Sequence, residues 1–428
     1  MNKIKVILIG AGLRGITYTD AMSETDGKYE VVAVAEPIKS RRDYIKNKHS
    51  IPDNMCFDDW KPLLALGKIA DAAVIATMDR QHFEPAIAAI KLKYDILLEK
   101  PISDNPGECV KIANLAEKNN VKVVICTVLR YTPIFTAIKD IIDDGKIGTI
   151  MSINHEECVG NIHQSHSFVR GNWGNSKRSS CMLLQKSCHD MDILQWIIGG
   201  KLKKIQSFGS LTYFTPKNAP AGAPDYCIEG CPNGDTCYYN AVKLYYDDKQ
   251  NEWFRSAATH IVNATDDQVK DAISKTQYGK CVFKCDNDVV DHQTVNMLFD
   301  NDVTVTFTMN AFNKGGRYIH IMGTKGELHA AMDGGEPIKI YSFDTKKTTQ
   351  IPITAKDGIV NGHGGGDRGI VEAFYDYVCG IYKGKAIPDI KQAADNHLIV
   401  FAAEKSRIEN ITVDFDEYRK SFIDNTIV

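Results

Sequence analysis

The chain has 428 residues, 43% of them hydrophobic and 25% charged, a globular composition that excludes disordered, collagen-like and low-complexity classes. Its 51 basic and 54 acidic residues leave a net charge of −3, with no basic excess to neutralise a phosphate backbone, so no nucleic-acid partner is expected. The longest apolar runs, such as Val31–Ala35 and Ala72–Ala76, are strand-sized, so no membrane association is expected.

The opening segment alternates two patterns. Lys3–Ile9, Glu30–Ala35, Ala70–Ala76, Asp95–Leu98 and Val121–Cys126 read as apolar strands, and Arg14–Ser23, Phe83–Lys93 and Gly107–Asn119 as helices. This alternation predicts an α/β domain over residues 1–128, a doubly wound parallel sheet buried on both faces. The texture changes near Leu129. A helix over Tyr131–Asp144 and a turn at Gly145 and Gly148 lead to a strand, Ile150–Cys158, and a helix, Cys188–Ile198. Lys204–Phe214, Val303–Phe312, Arg317–Met322, Glu327–Met332 and Ile338–Phe343 read as further strands, and helices near Gly369–Gly380 and Ile390–Ile408 close the chain. Residues 129–428 are therefore expected to form an α+β domain with a large, mostly antiparallel sheet. An irregular insertion at about 215–290 carries cysteines and a helix near Thr265–Ser274.

Met1–Leu13 lacks the apolar core of a signal peptide, which points to a cytoplasmic protein. A disulfide framework is then not the expectation for its twelve cysteines.

Gly10, Gly12 and Gly15 form G-A-G-L-R-G between the first strand and the first helix. Such glycines permit a tight turn, close approach of backbone to a pyrophosphate and helix–strand packing, and the helix N-terminus offers free N–H groups to the phosphates. This is a Rossmann fingerprint. Glu36 ends the second strand, where a carboxylate accepts from the adenosine ribose hydroxyls and repels a 2′-phosphate. NAD is the expected cofactor, held by Gly10, Gly12, Leu13, Arg14, Gly15 and Glu36, and by Thr77, His82, Glu99 and Lys100 past later strands. Lys100 follows the strand Asp95–Leu98 at the crevice edge, where it can hold the nicotinamide ribose and a substrate hydroxyl and assist proton movement.

With Glu99-Lys100-Pro101, Arg130-Tyr131-Thr132-Pro133, Cys188-His189-Asp190-Met191-Asp192 and Gly323-Thr324-Lys325-Gly326-Glu327 added to the glycine turn, nearly the whole chain resembles the Gfo/Idh/MocA oxidoreductases, a family that includes glucose–fructose oxidoreductase and inositol dehydrogenase. The resemblance implies an N-terminal Rossmann domain and a C-terminal α/β domain whose sheet often supports homo-oligomers. It also implies NAD(P)-linked chemistry on sugars or cyclitols. One departure stands out: the family commonly has Asp four residues before the helix histidine, and here that position is Gln185. The acid/base candidates are therefore Lys100, His189 and Lys186.

Arg130, Tyr131, His163, His166, Arg170, Trp173 and His363 are the candidate carbohydrate-binding residues, because ring faces stack on aromatics and hydroxyls meet polar tips. Most of them sit in a segment, 161–173, expected to be a polar loop. Convergence of Lys100, Lys186, Arg130 and Arg170 would suit an acidic sugar. Gly362 to Asp367 is a glycine run opening a helix, with Asp367 near its N-cap. Cys227, Cys231, Cys237 and Cys285 are candidate ligands of a structural zinc, with buried thiols or a disulfide as alternatives. The expected activity is hydride transfer between NAD and a ring hydroxyl of a sugar, cyclitol or sugar derivative. The alternative is a glycoside hydrolase that retains NAD and works by transient oxidation, elimination and re-reduction.

Overall fold

The computed structural model describes residues 3–332, 335–353 and 363–423. Strands β1 (Ile4–Ile9), β2 (Tyr29–Ala35), β3 (Cys56–Phe57), β4 (Ala72–Ile75), β5 (Asp95–Leu98) and β6 (Val123–Ile125) form one sheet in the order β3-β2-β1-β4-β5-β6, and every pairing is parallel. Successive side chains point to opposite faces, and both faces are buried. Val6 and Leu8 enter one core with α1 (Leu13–Ser23) and α2 (Lys39–His49), while Ile7 and Ile9 enter the other with α3 (Trp60–Ala65), α4 (Phe83–Lys91) and α5 (Pro106–Asn119). The strand order reverses between β1 and β4, so the carboxyl ends of those strands open the ligand crevice.

A second sheet follows α6 (Pro133–Asp143). It comprises β7 (Ile150–Cys158), β8 (Leu202–Ser210), β9 (His292–Phe299), β10 (Thr304–Asn310), β11 (Gly316–Gly323), β12 (Gly326–Ala331), β13 (Ile338–Ser342), β14 (Thr348–Ile351) and β15 (Val413–Asp414), in the order β14-β13-β12-β11-β7-β10-β9-β8-β15. Only β7 and β10 pair in parallel. One face packs on α6, α8 (Met182–Ile198) and α12 (Ile390–Glu409). The other carries Thr304, Thr306 and an exposed Phe208. Strand β9 is not anticipated from the sequence; its inward series Gln293, Val295, Met297 and Phe299 opens on a polar residue, while His292 and Asn296 lie on the outer face.

The final helices cross the sequence boundary at residue 129. Ile370, Val371 and Phe374 of α11 (Gly366–Val378) lie in the core with α1, and Ala393 and Ala394 of α12 in the core with α5. The chain ends its described part in α13 (Phe415–Ile423).

Three local readings change. Residues 161–174 are helical rather than a loop: α7 (Asn161–His163) runs into a π-helix, Gln164–Arg170, whose residues are all buried, and then a 3-10 turn. Such π segments recur at functional sites. Helix α8 begins at Met182 rather than Cys188, so Gln185 and Lys186 are helical. The N-cap of α11 is Gly365, in left-handed conformation, and Asp367 sits inside the first turn. Gly362 lies outside the described residues.

The insertion forms two satellite clusters. One contains Phe214, Tyr239 and Phe283; the other contains α9 (Glu252–Thr259), α10 (Asp266–Lys275) and Tyr245. Among the described residues no helix is long and apolar enough to cross a membrane.

Candidate active site

The glycine turn follows β1. Gly10 has φ +88°, and a Cβ there would lie 2.6 Å from the Ala76 carbonyl oxygen. A Cβ on Gly15 would lie 2.1 Å from the Gly10 carbonyl oxygen, which is the close approach of helix to strand. A Cβ on Gly12 would meet nothing nearer than Arg41 Nη1 at 3.9 Å. The middle glycine therefore faces open space, and it caps α1 with no side-chain hydrogen bond. The first-turn N–H groups are left for an anion.

Glu36 is buried at the end of β2. Its Oε2 accepts from the Ala11 N–H at 2.7 Å and its Oε1 from the Ile38 N–H at 2.9 Å. The carboxylate thus sits beside the phosphate turn, and each oxygen keeps a lone pair. Arg41 donates to His260 Nδ1 at 3.1 Å. His260 ends α9, so the insertion reaches the cofactor crevice.

Leu13 is exposed at the start of α1. The Arg14 side chain turns inward: Nε donates to Glu99 Oε1 at 2.7 Å, and Nη2 to Asp367 Oδ1 and Tyr18 Oη, both at 2.5 Å. Burial works against the Asp367 charge, but His363 and Arg14 hold its carboxyl well below the usual range. Arg14 therefore ties α1 to β5 and α11, and its guanidinium is committed. Thr77 Oγ1 donates to the Gln81 carbonyl at 3.1 Å, and the ring nitrogens of His82 lie 2.6 Å from the Pro101 oxygen and 3.0 Å from the Thr77 oxygen. His82 thereby clasps the segments after β4 and β5.

Lys100 follows β5 and reaches across to α8. Its Nζ donates to the Gln185 carbonyl at 2.7 Å and to Gln185 Oε1 at 3.0 Å, and lies 5.8 Å from the Trp173 ring centre. Gln185 Nε2 in turn approaches both oxygens of buried Asp79 at 3.4 Å, and Asp79 accepts from Ser179 Oγ at 2.5 Å. One helical turn on, His189 is 3% exposed. Neither of its ring nitrogens has a hydrogen-bond partner among the described residues. Burial first, then the charges of Lys100 and His363, hold its pKa well below the ordinary histidine value. The His363 ring lies 5.4 Å away. Buried polar groups are ordinarily bonded, so a buried imidazole with two unspent nitrogens marks a place where a ligand belongs.

Behind this row lies a charged layer. Lys186 Nζ pairs with Glu157 Oε1 at 3.2 Å, Arg317 Nε lies 2.6 Å from Glu157 Oε2 and 2.9 Å from Asp190 Oδ1, and His155 Nε2 lies 2.8 Å from the same Asp190 oxygen. Residue alternation explains the layer. Glu157 and Arg317 stand opposite in the β7–β11 ladder, as do His155 and Ile319, all facing inward toward α8. Burial would raise the Asp190 pKa; Arg317 and His155 outweigh it and hold it down to about 2. Burial and Arg317 lower that of Lys186, against Glu157.

The remaining candidates divide. Trp173 stands beside Lys100, and its Nε1 is buried without a partner among the described residues. The His163 ring meets that of Trp253 from the insertion at 5.0 Å, and burial followed by the Lys186 charge pushes its pKa well down. Arg130 is not free for substrate: it is fully buried and forks onto Asp192, at 2.6 and 2.8 Å. Tyr131 packs under Gly369 of α11. His166 stacks on Phe254 at 3.9 Å and bonds Tyr245 Oη at 2.8 Å, a core position. Arg170 is buried in the insertion, donating to the carbonyls of Lys280 and Tyr239. The four cations therefore do not converge. Cys227, Cys231 and Cys237 share a cavity with Cys281, whereas Cys285 turns its Sγ toward the Cys281 carbonyl at 3.5 Å and does not line that cavity.

Asp79, Glu157, Arg317 and Trp253 join the site without being anticipated as members. Only Asp79 carried a local signal, its place just past the end of β4. The other three arrive through sheet register and the insertion's fold.

Comparison with known proteins agrees with this architecture. Residues 4–127 match the model described as "Oxidoreductase family, NAD-binding Rossmann fold", and residues 139–415 that described as "Oxidoreductase family, C-terminal alpha/beta domain". The chain is 24% identical over 321 residues to YteT of Bacillus subtilis, whose name makes it an oxidoreductase; the match spans 71% of this chain and 72% of that protein. It is 22% identical over 206 residues to the inositol 2-dehydrogenase of Salmonella typhimurium, spanning 48% of this chain and 57% of that one. Among solved structures, an oxidoreductase from Agrobacterium radiobacter in complex with NAD+, L-tartaric acid and magnesium superposes with a TM-score of 0.70 at 14% identity, covering 97% of this chain and 99% of that chain. An NAD-binding oxidoreductase from Klebsiella pneumoniae gives 0.68 at 17%, covering 96% and 99%.

Proposed function

Since the chain belongs to the Gfo/Idh/MocA oxidoreductase family and carries its NAD-binding Rossmann domain, we propose that it is an NAD-dependent dehydrogenase of an uncharged polyol ring, a cyclitol or sugar. The observation that carries this reading is the row of unspent groups at the crevice edge. Lys100 has three N–H donors and uses two on Gln185. His189 offers two free ring nitrogens and Trp173 an N–H, counted among the described residues. Such a set suits several neighbouring hydroxyls. Arg130 and Arg170 are committed elsewhere and Lys186 and Arg317 are paired with Glu157 and Asp190, which favours an uncharged substrate over a carboxylate.

The glycine turn, the N-terminus of α1 and Glu36 would hold the cofactor, whose nicotinamide supplies the hydride acceptor. The protein's own residues handle the hydroxyl. Lys100 donates its remaining N–H to the substrate oxygen, an interaction that strengthens as negative charge develops there. His189, held neutral at pH 7, takes the hydroxyl proton. Gln185 fixes Lys100, and Asp79 fixes Gln185. Lys186 is ion-paired with Glu157, so it supplies field rather than a proton. The open face of the second sheet, with Phe208 exposed, supports association of like subunits. Net hydride transfer is preferred to redox-neutral glycoside cleavage, because the relatives above are named as oxidoreductases or dehydrogenases.

The test is NADH absorbance on mixing the protein and NAD with inositols, free sugars and aryl glycosides. NADH released with a cyclitol or sugar is expected. Aglycone release with no net NADH would overturn the reading.

A further inference from the structure

The face of the second sheet that is turned away from α8 gathers a ligand set on two adjacent strands. Alternation along β11 buries Arg317, Ile319 and Ile321 and leaves His320 on the outer face; along β12 it buries Leu328 and leaves Glu327 and His329 outside. His320 and His329 stand directly opposite in the antiparallel ladder, where side chains on one face meet. Their imidazole rings stack, with centres 3.8 Å apart and planes 18° from parallel.

Glu327 lies two residues before His329 on the same face. Its Oε2 is 2.9 Å from His320 Nε2 and 3.9 Å from His329 Nε2. The first distance is a hydrogen bond and the second is beyond hydrogen-bond reach, so one carboxylate oxygen bonds one ring and faces the other. The ligand atoms of all three residues lie within 4.8 Å of one another. An ion bound tetrahedrally by imidazole and carboxylate at ~2.0–2.2 Å holds its donors about 3.3 Å apart. The two Glu327 distances bracket that value. His329 is 52% exposed, so its ring is free to close the remaining fraction of an ångström.

The donor set chooses the metal. Magnesium and calcium take oxygen ligands, whereas two imidazoles and one carboxylate suit zinc and leave a position open. Both histidines line a groove of about 210 Å³ with Asn154, Glu156 and Tyr318, which leaves room for water at that position. Lys339, opposite His329 on β13, turns its Nζ to Glu336 at 3.3 Å, so its charge is answered there. We propose that His320, Glu327 and His329 bind one zinc ion, with water completing its coordination, on the outer face of the second sheet. The ion pins β12 to β11 and so steadies the strand that carries Arg317 to Glu157 and Asp190.

The full chain should be stripped of metal with a chelator, dialysed, and titrated with zinc by calorimetry and with cobalt(II) by absorption. About one equivalent is expected at this site, with the weak visible cobalt bands of nitrogen and oxygen ligands, and magnesium should not displace it. His320→Asn and His329→Asn should each lose that equivalent, whereas Cys231→Ser keeps it. Melting curves show whether the variants fold: zinc should raise the melting temperature of the wild type and of neither histidine variant. No zinc bound by the wild type, or zinc binding unchanged in both histidine variants, would overturn the proposal. So would cobalt absorption carried only by thiolate charge transfer and lost in Cys231→Ser.

Discussion

The two walls of the crevice are made differently. The wall from the parallel sheet recognises its ligand with backbone: a turn at φ +88°, a helix end with unspent N–H groups, and one carboxylate held by main-chain donors. The wall from the second domain is made of side chains that converge from α8, β7, β11, the π-helix and the insertion, backed by a buried charge layer. Backbone recognition is encoded over a few consecutive residues, so it is compact and intolerant of a single added carbon. Side-chain convergence is encoded across the whole fold. It tolerates small changes in shape and fails when a charge or a proton is altered.

The sharpest break of the first wall is Gly10→Ala. The new Cβ would lie 2.6–2.8 Å from three backbone atoms of Ala76 and Thr77, at a φ that side chains rarely adopt. Strain and overpacking of ~1–3 kcal/mol each cost about 4 kcal/mol of folding stability unless the turn shifts, and a shifted turn moves the N–H groups offered to the phosphates, so NAD affinity should fall. Calorimetric titration with NAD checks it; an affinity within a few-fold of wild type would show that those N–H groups stay in place.

Acid should destabilise the packed interior that carries the second wall. His166 and His397 are buried, and their pKa values are lowered to about 3 and about 4. For His397 the neutral form is also required by its bonds, since Nε2 accepts from the Ile102 N–H while Nδ1 donates to the Ala393 carbonyl. A histidine with a folded pKa below its unfolded value takes its proton first in the unfolded chain. Stability is therefore full above pH ~6.5 and falls as pH drops toward the folded pKa. At pH 5 each of these two residues costs about 2 kcal/mol relative to pH 7, together about 4 kcal/mol. Asp190, held down to about 2, works in a lower window: its contribution is present above pH ~3.9 and is lost only as pH falls toward 2. A melting temperature clearly lower at pH 5 than at pH 7 is expected, and equal values would refute the assignment.

Lys100→Met joins the two walls in one experiment. It keeps length and removes the donor to Gln185 and to the substrate oxygen. Turnover should drop by on the order of 10²-fold or more, with NAD affinity changed only modestly. Near-normal turnover in a folded variant would move proton handling to His189 alone.

The asymmetry of the walls also explains what could be read from the chain. Gly10, Gly12, Gly15 and Glu36 were legible because each acts on the backbone next to it, and the strand alternation set the crevice edge where Lys100 stands. Gln185 was legible only as a departure; that it clamps Lys100 and leans on Asp79 depends on two domains meeting. Glu157 and Arg317 come opposite one another through the β7–β11 register, which a separation of 160 positions conceals. Arg130 and Arg170 show the reverse error. A polar, aromatic-bearing stretch has the composition of a sugar site, yet both guanidinium groups are struts, one on Asp192 and one in the cysteine lobe. Composition does not distinguish a buried strut from a ligand. Cys281 and Cys285 have equal claim from spacing, and the Tyr226–Lys280 bridge lies beside Cys281, which shares the cavity of Cys227, Cys231 and Cys237.

The smallest expected effect concerns cofactor choice and tests whether the first wall uses any side chain at all. Glu36 is the carboxylate that accepts from the turn's Ala11 N–H, with Arg41 next to it and held by His260. A 2′-phosphate placed there would meet the carboxylate, whereas the unmodified ribose hydroxyls can donate to it. Glu36→Gln removes the charge while keeping one acceptor, and it leaves the Arg41 guanidinium unopposed. The ratio of NADP to NAD affinity should then rise about tenfold, roughly 1.4 kcal/mol. Because that repulsion is partly screened, the wild-type preference for NAD should itself narrow as the ionic strength is raised about tenfold. A ratio unmoved by both changes would mean that the turn's backbone alone sets the choice of dinucleotide, and that Glu36 serves only to hold the Ala11 and Ile38 N–H groups in place.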